Sequence, residues 1–441
     1  MSALPADVMR TLRDRLDVVI GLLRWIALGM LVGLLGGAAA AVFLKSLHWA
    51  TVTFDRFGWL LWLLPLAGLS IGLTYHYGGG RSVEGNNLIL DEIHEPTDWV
   101  PTRMAPMVLV GTVVTHLFGG SAGREGTAIQ MSGSLTDAAS RVLRLKGEDR
   151  RIMLVTAIAG GFGAVFGVPL AGAVFALEVQ SVGRLRYEAL VPCLAASVTG
   201  DLVVRGLGVH HTLTPRLGDV DLSAGLLAKV AVAGIAFGLA AVAFSLGEHT
   251  VKGLFGRWVG WAPARPLIGG VVVIGLTLAV GNRLYNGLSE GLVELSLFGG
   301  HVPTWAFAAK LLFTVVTLGS GFVGGEVTPL FVIGATLGAT LAAPLGVPEP
   351  LLAALGFVAV FAGAANTPLA CTIMGAELFG SGAIPYFAVA CVMSFVFSAR
   401  HGIYTTQRAH GPKLPGSGRQ GSRRQASRRE IGRMGDAEAG P

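Results

Sequence analysis

Eight stretches of this chain run for 17 to 26 residues without an Asp, Glu, Lys or Arg, and they limit the fold more than any other feature. They cover residues 26–44, 57–75, 104–123, 152–177, 230–246, 266–282, 327–347 and 351–376. An uncharged apolar run of roughly 18 residues can cross a bilayer as a helix, because only there are all its backbone groups satisfied internally. The runs predict an all-α integral membrane protein with about ten spanning or re-entrant segments, several runs holding a helix plus a half-helix. Only 14% of the 441 residues are charged, against about a quarter in soluble domains, too few to clothe a water-soluble core.

Charge collects at the ends. Asp7, Arg10, Arg13, Asp14, Arg15 and Asp17 precede the first apolar run. They predict a cytosolic N-terminal segment over 1–19, with no cleavable signal pattern. Residues 408–441 carry eight Lys and Arg in a Gly- and Ser-rich setting. This composition predicts a disordered basic tail held on the cytoplasmic side by its charge. The tail fixes topology better than it fits nucleic acid, and no nucleic-acid partner is expected. Cys193, Cys371 and Cys391 lie in apolar stretches, where they read as packing residues. Neither they nor the scattered His residues have a metal-ligand spacing.

The body repeats itself weakly. Gly120-Ser121 recurs as Gly319-Ser320, and Pro169-Leu170-Ala171 with Glu178 recurs as Pro368-Leu369-Ala370 with Glu377. Both pairs are 199 residues apart. They divide the chain into halves over 20–215 and 216–407, and duplicated transporter halves meet at a substrate site near the bilayer midplane.

Two loops carry chemistry. In Gly119-Gly120-Ser121-Ala122-Gly123-Arg124-Glu125-Gly126-Thr127 a charged pair is placed at membrane depth, which reads as functional because it is costly there. Glycines leave backbone N–H groups unobstructed, and a loop entering a helix N-terminus aims them at an anion. A carboxylate there can occupy the anion's own site and leave when protonated, which couples protons to anions. The second loop, Gly319-Ser320-Gly321-Phe322-Val323-Gly324-Gly325-Glu326-Val327-Thr328-Pro329, has the same plan. Glu326 reads either as a second functional carboxylate or as a cap on its own helix. A third segment, Glu84-Gly85-Asn86-Asn87-Leu88, offers amides that can donate to an anion. From spacing alone, capping is the stronger reading of those amides.

Together the loops resemble the CLC family of anion channels and antiporters. Gly123-Arg124-Glu125-Gly126 is similar to the gating-glutamate loop, and Gly319-Ser320-Gly321 through Gly324-Gly325 and Pro329 to the later signature loop. In His401-Gly402-Ile403-Tyr404, Tyr404 resembles the pore-lining tyrosine. The resemblance implies a CLC-type fold of inverted halves, a homodimer in the cell's inner membrane, no cofactor and no enzymatic activity. Thr127 in place of Pro, Asn86-Asn87 in place of a serine, and Glu326-Val327-Thr328 in the later loop are similar to the fluoride-exporting branch. The resemblance therefore implies a fluoride/proton antiporter, with a chloride-preferring antiporter or passive anion channel as the alternative. Glu125 is the expected gate. The expected anion site is Gly123, Arg124, Gly126, Thr127, Glu326, Val327, Thr328, Tyr404, Asn86 and, as the preferred amide, Asn87. Val179 stands where chloride antiporters carry an inner proton-accepting glutamate, so the inner proton route must differ. Leu90 and Ile93 are aliphatic where some fluoride exporters place rings. An intramembrane serine protease built on Gly319-Ser320-Gly321 would need a base such as His, and no intramembrane His stands out in the second half.

Overall fold

A computed structural model describes residues 6–183, 185–211, 214–398, 402–409 and 413. The described residues form sixteen α-helices. The first eight are α1 (Ala6–Arg56), α2 (Leu64–Thr74), α3 (Asn86–His94), α4 (Met104–Leu117), α5 (Glu125–Val142), α6 (Gly147–Phe166), α7 (Pro169–Glu178) and α8 (Leu190–Gly206). The second eight are α9 (Ala224–Trp258), α10 (Ala264–Val280), α11 (Glu290–Phe298), α12 (Ala306–Gly319), α13 (Val327–Leu345), α14 (Glu349–Ala365), α15 (Pro368–Phe379) and α16 (Ile384–Phe397). Five helical stretches are long and apolar enough to cross a membrane, and seven more apolar helices are shorter. The expectation of about ten spanning segments thus divides into a few long spans and many part-spans. α1 runs from Ala6 to Arg56 without a break, so the described part of the expected N-terminal segment over 1–19 is the start of this helix. Of the basic tail, Arg408, Ala409 and Lys413 are described; the rest, like His401, lies outside the described residues.

The two groups of eight repeat the same order of long, short and half-length helices. They also repeat the same neighbours: α1 packs on α8 as α9 packs on α16, and α5 on α6 as α13 on α14. Small residues set these approaches. A Cβ on Gly29 or Gly33 would lie 2.5 Å from the Pro192 or Ala196 carbonyl oxygen of α8, so the glycine stripe lets the two backbones touch.

The repeated Pro-Leu-Ala…Glu motif has a structural cause. In each half a helix ends on a left-handed residue, Gly167 (φ 70°) or Asn366 (φ 58°). The next helix then starts on a proline, Pro169 or Pro368, the usual stop and start signals. The two new helices, α7 and α15, pack on each other. Glu377 at the end of α15 accepts the Leu170 and Ala171 N–H groups of α7 at 2.9 and 2.7 Å. Glu178 at the end of α7 accepts those of Leu369 and Ala370 at 3.1 and 2.8 Å. Each helix caps the other, and orphan N–H groups inside the membrane are satisfied.

A buried polar knot holds α3 in place. The Arg150 guanidinium on α6 donates to Asp137 of α5 at 2.7 and 2.8 Å, to Glu92 of α3 at 3.2 Å, and to the Asp98 carbonyl at 2.7 Å. Arg81 adds a second cation on Glu92 at 2.6 Å. This knot fixes where α3 begins, and with it Asn86.

Candidate functional site

The two signature loops meet. Gly123 and Gly325 exchange backbone hydrogen bonds of 2.6 and 2.9 Å, which sets the starts of α5 and α13 side by side. α3 begins at Asn86, and its Nδ2 would lie 3.0 Å from a Cβ on Gly126. Three helix N-termini, each with unpaired N–H groups and the positive end of a dipole, therefore converge at one point.

Glu125 occupies that point. Its side chain is fully buried. Val327 N–H donates to one carboxylate oxygen at 2.5 Å. Thr328 N–H and hydroxyl donate to the other at 3.1 and 2.8 Å, and Arg124 N–H adds a fourth donor at 3.0 Å. This is the donor set an anion would receive, filled by the chain's own carboxylate. Two absent side chains make the room. A Cβ on Gly325 would lie 2.4 Å from the Glu125 carboxylate, and one on Gly123 would lie 2.9 Å from it.

The other expected residues divide. Arg124 turns away to pair with Glu290 at 2.9 Å and lies over Phe166. It borders a cavity of about 530 Å3 that also meets Lys45, His48 and His211. The Thr127 side chain is not brought to the site; its hydroxyl pairs with that of Thr112 at 2.6 Å. Glu326 precedes α13 and lies against a carboxyl group that the sequence pattern does not single out, that of Glu248 on α9. Asn86, not Asn87, lines a cavity of about 10 Å3 with Leu90, Phe175, Val179 and Tyr404, room for about one water. Asn87 instead meets the Thr406 hydroxyl at 3.3 Å. The ring in this cavity other than Tyr404 comes from Phe175 on α7, edge-on to Tyr404 with centroids 6.5 Å apart. Ile93 is buried in the core.

Lys310, inside the apolar α12, is a further residue that the motifs do not reveal. It is fully buried and donates to Ser121 at 2.9 Å, to the Gly287 carbonyl at 2.8 Å and to Ser289 at 2.9 Å. It thus ties the Glu125 loop to the segment before α11. A lone Lys in an apolar run was the available signal. Ser320 spends its hydroxyl on the Thr317 carbonyl at 2.9 Å. Among the described residues no group of three or more His, Cys, Asp or Glu is placed to hold a metal ion.

The chain matches the family described as "Voltage gated chloride channel" over residues 68–399. It is 48% identical to the "Chloride/fluoride channel protein" of Pseudomonas syringae pv. tomato, over 90% of this chain and 88% of that protein. It is 26% identical to the "H(+)/Cl(-) exchange transporter ClcA" of Yersinia pestis, over 83% of this chain and 81% of the other. Among solved structures, a CLC-type fluoride/proton antiporter superposes with a TM-score of 0.85 at 33% identity, covering 88% of this chain and 98% of the other. A cyanobacterial Cl-/H+ antiporter at 22% identity shares the fold with a TM-score of 0.74. With the family matched across most of its length and with paired signature loops closing on a buried glutamate, this chain belongs to the voltage gated chloride channel (CLC) family of membrane proteins.

Proposed function

We propose that the chain is a fluoride/proton antiporter that exports fluoride from the cytoplasm across the cell's inner membrane. Glu125 is its proton-linked gate. The observation that carries this reading is the carboxylate of Glu125 lying on the Val327 and Thr328 N–H groups and the Thr328 hydroxyl. An arriving anion competes for those donors, and protonation removes the charge that holds the side chain there. Each exchange of carboxylate for anion then moves one proton-carrying group. Asn86 and Tyr404 share a small cavity, which in this reading belongs to the anion's route to the gate. Fluoride is small and tightly hydrated, so its site needs strong donors, which amides and hydroxyls supply. The 33% identical solved relative is a fluoride/proton antiporter, and the 48% identical relative is named for both chloride and fluoride.

The assembly that fits is a homodimer of chains, each built of halves over 20–215 and 216–407. Support comes from α7 and α15, which are only 10 and 12 residues long yet expose Leu170 and Leu369 by about half. Helices of that length span about 15–18 Å, half a bilayer core. A second copy over them would keep their ends out of hydrocarbon.

The test is anion efflux from proteoliposomes read in parallel with fluoride and chloride electrodes. Fast fluoride efflux with much slower chloride efflux is expected. Chloride moving as fast as fluoride would overturn the substrate assignment and favour a chloride antiporter or channel of the same fold.

A further inference from the structure

The proton's exit from Glu125 is not explained by the anion path. The cavity below the gate is lined by Asn86, Ile89, Leu90, Phe175, Val179 and Tyr404, with Ile129 and Ile158, none of which can take up a proton from a carboxylic acid. Glu326 stands one residue before the Val327 N–H that holds the gate. The Glu326 carboxyl lies against that of Glu248, about two-thirds of the way along the 35-residue α9. Two carboxyl groups so close together do not both ionise, so one of them carries a proton.

The pair is held together by packing. A Cβ on Gly319 would lie 2.8 Å from the Val251 side chain and 3.3 Å from the Glu248 carbonyl oxygen. The bare glycine therefore lets the 248–251 turn of α9 rest on the loop that carries Glu326. One turn further along α9, Lys252 is exposed in a cleft of about 470 Å3, bordered also by Tyr75, Gly80, Arg265 and Ser320. α1 crosses the membrane and the helical segment from Gly58 returns. The Tyr75–Gly80 end of this cleft thus lies on the side where α1 begins, the cytoplasmic side in our reading. The Arg124 cavity, with Leu44, His48 and His211, lies toward the far end of α1.

We infer that Glu248 is the inner proton-transfer residue, passing protons between Glu326 and water in the cleft beside Lys252. This rests on the antiport reading. As fluoride leaves, the proton held by the pair passes from Glu248 to a water in the cleft, and protonated Glu125 gives its proton to the Glu326 carboxylate, which restores the shared proton. Each step moves one proton and restores one carboxylate, and reversed transport runs the same steps backward. The groups that face the pair are Glu125 and Tyr404 on the gate side, with His249 and Lys252 on α9. His249 is held at 2.6 Å from the Ser245 carbonyl oxygen. Lys252, at the cleft, places a positive charge near the carboxylate that the departing proton leaves behind.

The experiment is simultaneous recording of fluoride efflux and proton uptake in proteoliposomes for the wild type, Glu248→Gln and Glu248→Asp. Gln keeps the shape and a hydrogen bond to Glu326 but cannot turn over a proton. It is expected to lower the proton-to-fluoride flux ratio at least about tenfold, within the range of a lost acid–base group. Asp, which keeps the carboxyl group, is expected to restore most of the ratio. A merely structural role for Glu248 would lower both fluxes together and leave the ratio unchanged; that result would overturn the inference, as would a wild-type ratio in Glu248→Gln. Absence of proton uptake in the wild type would instead overturn the antiport reading itself.

Discussion

At the residue scale the site depends on what is missing as much as on what is present. The Glu125 carboxylate lies where a Cβ on Gly325 would be, 2.4 Å away. Gly325→Ala should therefore push the Glu125 carboxylate off its donors and cut proton-coupled fluoride flux by about a hundredfold, the scale of a 1 Å misplacement. Flux within twofold of wild type would contradict that geometry. Thr328→Val removes the hydroxyl donor at 2.8 Å but keeps the N–H. It should weaken fluoride binding by about 1 kcal/mol, roughly fivefold, measured by titration calorimetry. The meeting of the two loops around Glu125 was legible in the sequence, because a charge at membrane depth is costly and the glycines beside it leave N–H groups unobstructed, whereas the turn of the Arg124 side chain toward Glu290 was not. Nor was the choice between Asn86 and Asn87. One residue at a helix start turns a side chain by about 100°, and that rotation depends on how α3 is held. Glu248 was likewise hidden, since it gains meaning only from Glu326, 78 positions away.

At the element scale, short helices stay in place because polar partners close their ends. The exchange between Glu178 and Glu377 explains why a motif recurs 199 residues later, a regularity the sequence displayed without its cause. Glu377→Ala should strand the Leu170 and Ala171 N–H groups and lower stability by about 1–3 kcal/mol, seen as a reduced melting temperature in detergent. The knot at Arg150 should be more sensitive. Arg150→Met leaves Glu92 and Asp137 buried with one cation fewer, and should cost about 3–5 kcal/mol. A melting temperature equal to the wild type would show that the knot contributes little. Helix boundaries were less legible than helix existence. The uncharged run over 57–75 turned out to be a 3-10 turn over Gly58–Leu63 followed by α2, because hydropathy is blind to a break that both pieces share.

At the scale of the whole molecule, two sets of eight helices turn their loops toward one another, and the charge-free runs foretold the membrane but not the inward folding. Hydropathy reports what a segment can dissolve in, whereas a half-helix exists only because a partner satisfies its end. In the proposed mechanism Glu125 carries the proton that exchanges for fluoride. An outward fluoride gradient across wild-type proteoliposomes, with no proton gradient imposed, should drive protons inward and build a proton gradient, read on a pH electrode. In Glu125→Gln the same gradient should move no protons, because an amide fills the donor set without titrating. Proton pumping that survives in Glu125→Gln would contradict the account.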